Sequence, residues 1–359
     1  MKSDYSDEQE MKSRNVKIRF LSVTISLLLA LTARADDLPQ PGDGLFREAL
    51  QTASDMPRLH SLLISRNGEL VVEEYFNGSN PWRTANVKSV SKSVMSALIG
   101  IAIDKGLIAS IDQPIADYYG DALPESKRAI TVGNLLSMQA GLETTSFYNY
   151  GAWVLSDDWV RFALDQPMLS PPGTRMHYST GNTHLLSDIL TQTAGESTFR
   201  FAAANLAEPL GFKLAEWPQD PNGIYFGGNN MELTPRQMLA FGELYMNGGR
   251  ANGRQVIPES WVEASLTPRV TSPRDEERRY GLGWWLKDMA GLPTAYAWGY
   301  GGQFILLVKD LGLVVVTTSD SLPGDTRRRH IRSLYDMLER QIVAPARRAA
   351  TGPFDLTTD

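Results

Sequence analysis

The sequence contains no cysteine among its 359 residues. Disulfide bonds, zinc–thiolate sites and cysteine nucleophiles are therefore excluded. Histidine is scarce as well, and none stands in a His-Glu-x-x-His pair, so a zinc hydrolase of that kind is excluded too. The chain also lacks a Gly-x-Ser-x-Gly turn and a phosphate-binding glycine loop. We expect no bound metal and no cofactor. The four histidines are His60, His177, His184 and His330.

An excess of positive charge is also missing. The chain has 35 Lys and Arg residues against 41 Asp and Glu residues, a net charge of −6. This balance gives no reason to expect nucleic acid or an anionic membrane as a partner. Hydrophobic residues make up 42% of the sequence, which is enough for a substantial core in one large or two interlocked domains. The composition leaves the oligomeric state open.

Long hydrophobic runs are missing except near the N-terminus. The run from Phe20 to Ala33 is short for a spanning helix, follows several basic residues and ends in an Ala-Arg-Ala cleavage pattern. We therefore expect residues 1–35 to be a signal peptide and the mature protein to start near Asp36, periplasmic or secreted and free of the membrane. An uncleaved anchor is the alternative, and translation starting at Met11 would give a more ordinary signal. The basic residues are Lys12, Arg14, Lys17 and Arg19.

The tetrapeptide Ser89-Val90-Ser91-Lys92 is the first motif that can carry chemistry. A serine and a lysine three positions apart lie on one face of a helix, so the amine can take the hydroxyl proton. A serine hydroxyl is a poor nucleophile until a neighbouring base does this. Ser89 would also stand at the helix N-terminus, where backbone N–H groups favour developing negative charge. By itself the pattern is weak, because a capping serine and a solvated lysine also explain it.

Two further motifs follow in order. After Lys92, apolar residues recur at helical spacing up to Gly106, so we expect a helix with a buried apolar stripe and a glycine C-cap. A Pro-Pro-Gly-Thr turn then precedes Tyr178-Ser179-Thr180-Gly181-Asn182. Near the C-terminus, Trp298-Gly299-Tyr300-Gly301-Gly302-Gln303 lies between strand-like segments. The apolar helix positions are Val94, Ala97, Leu98, Ile101 and Ala102.

With these three ordered motifs, the chain resembles serine hydrolases of the β-lactamase and penicillin-binding-protein fold, on the class C β-lactamase side. That group includes the family VIII esterases and the 6-aminohexanoate-dimer hydrolases. The resemblance extends from about Leu59 to about Ile342. The segment from Trp217 to Arg236, which contains Gly227-Gly228, is most similar to the 6-aminohexanoate-dimer hydrolase branch.

The resemblance implies roles for the first two motifs. Ser89 matches the nucleophile of the family, Lys92 its base, and Tyr178 the tyrosine that passes a proton to the leaving group. The family often has an asparagine two residues after the tyrosine. This chain has Thr180 there and Asn182 two residues further on, so the amide group of β-lactam recognition is missing. We expect both residues to contact substrate.

The third motif departs further from the family. β-Lactamases have Lys-Thr-Gly on an edge strand and family VIII esterases often have Trp-Gly-Gly, whereas this chain has Trp298-Gly299-Tyr300, which we expect to contact substrate. Without the lysine, a substrate carboxylate loses a charge-assisted contact, typically about 1.5–3 kcal/mol. The resemblance also implies an oxyanion hole formed by the backbone N–H groups of Ser89 and Gly301.

Strand-like segments near both ends of the chain predict two hairpins, with turns at residues 66–68 and 309–312. A final helix is expected over about 326–343. This order predicts an α+β fold: an antiparallel β-sheet built from both chain ends and flanked by helices, with a second, mostly helical domain. We expect the sheet domain to comprise residues 36–88 and 246–348, the helical domain residues 89–245, and a C-terminal tail residues 349–359.

The expected reaction is hydrolysis of a small-molecule ester or linear amide through a covalent acyl-enzyme. β-Lactamase or D-aminopeptidase activity is an alternative on the same fold. A penicillin-sensor-like binding protein that acylates slowly without turnover is an alternative of another class, and a non-catalytic scaffold is a third. An aromatic cleft without the motif lysine favours an apolar acyl group or a short ester. The aromatic residues that could line it, most of them expected in core or wall, are Tyr148, Tyr150, Trp153, Trp159, Trp284, Trp285, Tyr296, Trp298 and Tyr300.

Overall fold

The computed structural model describes residues 44–351 of the chain. The predicted signal peptide, residues 1–35, lies outside the described residues. Within residues 44–351, no helix combines the length and the hydropathy that crossing a membrane requires.

Strands from both ends of the chain meet in one sheet. The described strands, numbered in chain order, are β1 (Leu59–Arg66), β2 (Glu69–Tyr75), β3 (Ala85–Asn86), β4 (Glu232–Leu233), β5 (Arg250–Ala251), β6 (Arg254–Gln255), β7 (Val270–Ser272), β8 (Asp275–Tyr280), β9 (Trp285–Met289), β10 (Leu292–Gly299), β11 (Gln303–Val308) and β12 (Leu313–Ser319). Eight of them form an antiparallel sheet in the order β2-β1-β12-β11-β10-β9-β8-β7. Because β1 pairs with β12, the predicted sheet built from both chain ends is confirmed.

Helices are the main regular structure of the chain between β2 and β7. The described helices are α1 (Arg47–Ser54), α2 (Ser91–Asp104), α3 (Ala116–Tyr119), α4 (Val132–Leu136), α5 (Tyr150–Val154), α6 (Trp159–Asp165), α7 (Thr180–Ala194), α8 (Thr198–Ala202), α9 (Pro235–Met246), α10 (Glu259–Ser265), α11 (Arg327–Asp336) and α12 (Ala344–Thr351). The predicted α+β class is therefore confirmed.

Both predicted hairpins are present. The turn between β1 and β2 places Asn67 at φ 53° and Gly68 at φ 80°, the pair of positive values that a type I′ turn requires. The turn between β11 and β12 ends at Gly312, with φ 56°. Glycine and asparagine tolerate these angles at low cost, which is why the sequence indicated both turns.

The sheet lies between two helical layers. Along β12, Val314 and Val316 face the core cluster that includes α2 and α9, whereas Val315 faces the cluster that includes α11. This alternation follows from the two-residue period of a strand. Helix α9 lies so close to the sheet that a Cβ at Gly242 would lie 2.6 Å from a methyl carbon of Val314. Although α9 packs on the sheet, all of it but Met246 falls within the predicted helical domain, and that division into domains stays a prediction.

Helix α2 is more deeply buried than its sequence suggested. A single apolar stripe was expected, but every residue from Ser91 to Ala102 is buried. The helix is enclosed on all sides because it lies in the core between the sheet and α7. A helix in that position can be buried around its whole circumference. It ends close to the expected cap, with Gly106 at φ 70°.

The C-terminal helix continues beyond its predicted end. The sequence analysis placed the end near Val343, but a π-helical turn (Met337–Val343) leads into α12, which reaches Thr351. The prediction was wrong because the backbone stays helical at Ala344, with φ −63° and ψ −44°, so the π-helical turn carries the helix past Pro345. Residues 349–351 of the predicted tail are therefore helical, and the rest of that tail lies outside the described residues.

Candidate active site

Ser89 lies in a 3₁₀ turn (Lys88–Val90) that leads directly into α2. The turn is closed by the Val90 N–H, which donates to the Val87 carbonyl at 3.1 Å. Lys88 has a φ of 52°, a value that is uncommon for a residue with a side chain. This sharp turn places Ser89 just before the first turn of α2, as the sequence predicted.

Lys92 is completely buried, with 0% of its surface exposed. Its Nζ lies 3.0 Å from Ser89 Oγ, 3.2 Å from Thr180 Oγ1 and 2.6 Å from the Gly228 carbonyl oxygen. Burial lowers the pKa of this lysine to about 7. A large fraction of the amine is therefore neutral near pH 7, and it can accept the Ser89 proton.

The second motif is held in place by a loop that precedes α5. The Thr144 hydroxyl donates to the Tyr178 carbonyl at 2.6 Å. Ser146 Oγ accepts the Thr180 backbone N–H at 2.7 Å and lies 2.7 Å from Thr180 Oγ1. These contacts fix the start of α7, and they explain why the Thr180 hydroxyl reaches Lys92.

Tyr178 lies against both the lysine and an aromatic wall. Its ring stacks on Trp285 at 5.5 Å between centroids and meets Tyr280 edge-on at 6.0 Å. Lys92 Nζ lies 5.2 Å from the centroid of the same ring. Burial raises the pKa of Tyr178 above its ordinary value, and the neighbouring Ser89 hydroxyl opposes the rise. The phenol therefore keeps its proton at neutral pH and is placed to donate it.

The third motif runs beside the nucleophile turn. A Cβ at Gly299 would lie 2.1 Å from the Val87 carbonyl oxygen, so only glycine allows β10 to approach the turn this closely. Gly301 follows with φ 94°. Among the described residues, the backbone N–H groups of Ser89 and Gly301 donate to no backbone carbonyl. Both groups can therefore donate to a substrate oxygen.

The remaining predicted site residues differ in how close they lie to Ser89, Lys92 and Tyr178. Trp298 is half-buried against the same apolar cluster as Tyr178, and its Nε1 finds no partner in the described part of the chain. The Tyr300 ring lies under the Arg327 guanidinium, 4.3 Å from the ring centroid. Asn182 is buried, but within residues 44–351 its side chain makes no hydrogen bond to Ser89, Lys92 or Tyr178. Two residues along a helix turn a side chain by about 200°, which directs it away from the face of Thr180.

Three contacts were not predicted from the sequence. Gly228 supplies a carbonyl to Lys92, Ser146 holds Thr180, and Trp285 stacks on Tyr178. Gly228 belongs to the segment that indicated the 6-aminohexanoate-dimer hydrolase branch, which was the available signal. A backbone carbonyl leaves no other trace in a sequence. Trp285 was among the aromatic residues that could line the cleft, but nothing in the sequence indicated that it stacks on Tyr178.

The site has the groups that acyl transfer needs: a hydroxyl beside an amine whose pKa is lowered to about 7, a phenol that keeps its proton and free backbone N–H donors. In the described part of the chain, no group of three or more His, Asp or Glu side chains could hold a metal ion. The family model described as Beta-lactamase matches residues 46–336. The chain belongs to the Beta-lactamase family. It is a hydrolase of that family, with the β-lactamase/transpeptidase-like fold.

Known proteins that are similar to this Beta-lactamase family member agree with its assignment to the family and with its fold. The 6-aminohexanoate-dimer hydrolase of Paenarthrobacter ureafaciens is 25% identical over 334 residues, covering 84% of this chain and 79% of that protein. The crystal structure of a family VIII carboxylesterase has a TM-score of 0.64 at 20% identity, covering 83% of this chain and 98% of its own. A penicillin-binding protein from Bacillus halodurans has a TM-score of 0.64 at 16% identity, covering 80% and 99%. At these identities, the two structures establish the fold alone.

Proposed function

We propose that this protein is a serine hydrolase that forms an acyl-enzyme on Ser89 and cleaves carboxylic esters or linear amides. The observation that carries the proposal is the contact between Lys92 and Ser89, 3.0 Å apart, with the lysine buried and its pKa lowered to about 7 by that burial. A base with a pKa near the working pH is the most effective general base. A solvated structural lysine would have neither property.

The reaction follows from the positions of these groups. Lys92 takes the Ser89 proton while Ser89 Oγ forms a bond to the substrate carbonyl carbon, and the carbonyl oxygen becomes an oxyanion held by the N–H groups of Ser89 and Gly301. The bond to the leaving group then breaks, and Tyr178 together with Lys92 relays the proton to it. Water attacks the acyl-enzyme in a second step of the same kind, which releases the acid and restores Ser89.

The choice of esters or linear amides rests on the third motif. Trp298 stands where a β-lactamase lysine would meet the substrate carboxylate, and no charge replaces it at that position. Gly299 and Tyr300 follow in the same motif, and Thr180 is the second-motif residue that contacts Lys92, whereas Asn182 is directed away from that face. A half-buried indole offers apolar contact to an acyl chain. The names of two relatives, a 6-aminohexanoate-dimer hydrolase and a family VIII carboxylesterase, agree with this substrate class.

The decisive experiment is an activity screen over four carbonyl classes: p-nitrophenyl esters, linear amides, D-amino-acid peptides and β-lactams. The Ser89→Ala variant is the blank. We expect Ser89-dependent turnover of esters or linear amides that continues after the first equivalent. Turnover confined to β-lactams or D-peptides would reject the substrate class. Release that stops at one equivalent indicates a slowly acylating binding protein, and no release from any class indicates a non-catalytic scaffold.

We also propose that the protein is exported, by a signal peptide over residues 1–35. The basic residues, the short apolar run and the Ala-Arg-Ala pattern support this. N-terminal sequencing of protein recovered from periplasm and medium tests it. A start near Asp36 is the expected result, and a protein that keeps residues 12–35 would be anchored instead.

A further inference from the structure

One face of α7 is joined along its length to the segment 217–228. Four residues at positions i, i+3, i+4 and i+7 of the helix lie on this face. The Ser187 hydroxyl donates to the Tyr225 carbonyl at 2.6 Å. A Cβ at Gly227 would lie 2.0 Å from the Thr183 carbonyl oxygen, so the segment and the helix backbone are in direct contact. The four helix residues are Thr180, Thr183, His184 and Ser187.

A buried pair of side chains lies at the centre of this contact. His184 Nε2 is 3.0 Å from Asp220 Oδ2, and both side chains have 0% of their surface exposed. His184 Nδ1 has no partner among the described residues. The hydrogen bond is therefore a donation from the Nε2–H to the carboxylate. The rings that surround the histidine belong to Trp153, Trp159 and Phe226.

Asp220 also shapes the segment from within. Its Oδ1 accepts the backbone N–H groups of Asn222 at 2.9 Å and Ile224 at 2.8 Å. Burial raises the pKa of Asp220, but the hydrogen bonds from His184 and these two N–H groups outweigh it and the pKa is lowered. The carboxylate therefore stays ionised, with both oxygens occupied. The Asp220 side chain therefore stabilises the turn at residues 220–224 and also bonds this turn to α7 through His184.

The last residue of the segment, Gly228, contacts the base Lys92 through its carbonyl group. Gly228 O accepts from Lys92 Nζ at 2.6 Å. A Cβ at Gly228 would lie 2.1 Å from Thr183 Oγ1, so the carbonyl is held against α7 by close packing that only glycine allows. A neutral amine has two N–H groups and one lone pair. When Gly228 O and Thr180 Oγ1 accept the two N–H groups, the lone pair is left for Ser89.

We propose that His184 and Asp220 are positioning residues for the base: their hydrogen bond holds the Gly228 carbonyl on Lys92 and so directs the lone pair of the amine at Ser89. The inference rests on the proposed function. When the carbonyl moves away, one N–H of Lys92 can turn toward Ser89, and proton transfer slows. The ammonium form also loses an acceptor, which lowers the pH at which Lys92 titrates.

The test compares substitutions at His184 with a matched control. His184→Gln keeps an N–H donor for Asp220, whereas His184→Leu removes it at similar volume. Asp220→Asn keeps the Oδ1 acceptor for the backbone N–H groups and so preserves the turn if His184→Leu fails to fold. Its amide N–H can bond to His184 Nε2 only if the ring proton moves to Nδ1, which has no acceptor among the described residues, so the native hydrogen bond is lost. The control is Asp188→Asn, which alters a buried carboxylate on the same helix whose partners are Tyr119 and Gln192 rather than the segment.

The readout is the pH profile of acylation with a p-nitrophenyl ester, on proteins with checked thermal unfolding. Among the described residues, Tyr178 is the titratable neighbour of Lys92 and keeps its proton in this range. The acid limb therefore reports Lys92. We expect His184→Leu and Asp220→Asn to lower kcat by at least about 10-fold and to shift the acid limb to lower pH, with KM little changed. His184→Gln should stay within about 3-fold of wild type.

Two outcomes overturn the inference. One is a wild-type plateau and acid limb in folded His184→Leu or Asp220→Asn. The other is a loss of activity equal to that of Asp188→Asn with an unmoved acid limb, which would make the pair structural only. Failure of the proposed function is a separate result: wild type would then show no acylation above the Ser89→Ala blank.

Discussion

Lys92 Nζ lies 3.0 Å from Ser89 Oγ at a position where the lysine has no exposed surface. Serine–lysine proximity on a helix surface would leave the amine protonated and hydrated. Burial removes water from the ammonium form, which lowers the pKa of Lys92 to about 7. Burial makes the lysine a base near pH 7, and the same burial lowers the stability of the fold wherever an exposed lysine would be protonated.

The first prediction concerns this base. Lys92→Arg keeps the positive charge but replaces a group that can become neutral with one that cannot. We expect acylation of a p-nitrophenyl ester to fall by at least about 100-fold, the usual scale for loss of a general base. In wild type, kcat/KM should rise with pH through about 7, because only the neutral amine accepts the proton. Near-native turnover of Lys92→Arg would make Lys92 structural.

The second prediction concerns stability. The ordinary pKa of a lysine is 10.5, and burial lowers the pKa of Lys92 in the fold to about 7, so the unfolded state binds more protons between these pH values. Wild-type stability therefore gains from this group as pH rises from 7 to 10, by roughly 3 kcal/mol. Lys92→Met removes the titration. The difference in unfolding free energy, variant minus wild type, should decrease by that amount between pH 7 and pH 10. A pH-independent difference in denaturant unfolding would contradict it.

The third prediction concerns the approach of β10 to the nucleophile turn. Gly299→Ala would place a Cβ 2.1 Å from the Val87 carbonyl oxygen, so the turn or the strand must move. We expect a loss of about 1–3 kcal/mol in stability and at least about a 10-fold lower acylation rate. Gly151→Ala is the matched control, because its Cβ would meet nothing within 4 Å. Equal acylation rates for the two variants would show that the close approach of Gly299 to the nucleophile turn does not affect catalysis.

The sequence predicted the parts of the site that are close together in the chain. Ser89 and Lys92 are one helical turn apart, and Tyr178 and Thr180 share one motif, so spacing and resemblance located both pairs. The Gly228 carbonyl could not be found this way, because a backbone group 136 positions from Lys92 has no residue type that marks it.

The same limit applies to the fold. Turn residues identified both hairpins, since positive φ restricts the residue type. The full burial of α2 was missed because serine and threonine hydroxyls can be buried when they are hydrogen-bonded: Ser93 and Ser96 donate to the Gly283 and Leu282 carbonyls, both at 2.6 Å. The serine residues of α2 therefore indicated a solvent-exposed face where the helix is in fact buried.

The fourth prediction concerns substrate class. By the proposed match of the third motif, Trp298 stands at the position of the lysine that meets a β-lactam carboxylate in β-lactamases. We expect kcat/KM for p-nitrophenyl esters of short acids to exceed that for nitrocefin by at least about 100-fold, since losing roughly 3 kcal/mol of recognition costs about two factors of ten.

Esters also have better leaving groups, so a control variant is needed. Trp298→Lys should raise nitrocefin turnover more than ester turnover. If wild type cleaves nitrocefin as well as it cleaves esters, another cation reads the carboxylate and the ester preference is wrong.

The most direct test of the central claim is the site of covalent labelling. Ser89 faces a buried base, whereas three nearby serines are held in structural hydrogen bonds: Ser91 with the Met231 N–H, Ser93 with the Gly283 carbonyl and Ser179 with the Thr145 N–H. An active-site serine probe followed by intact mass and peptide mapping should give one adduct per chain, on Ser89. An adduct on Ser91, Ser93 or Ser179, or an equal yield from Ser89→Ala, would contradict the account.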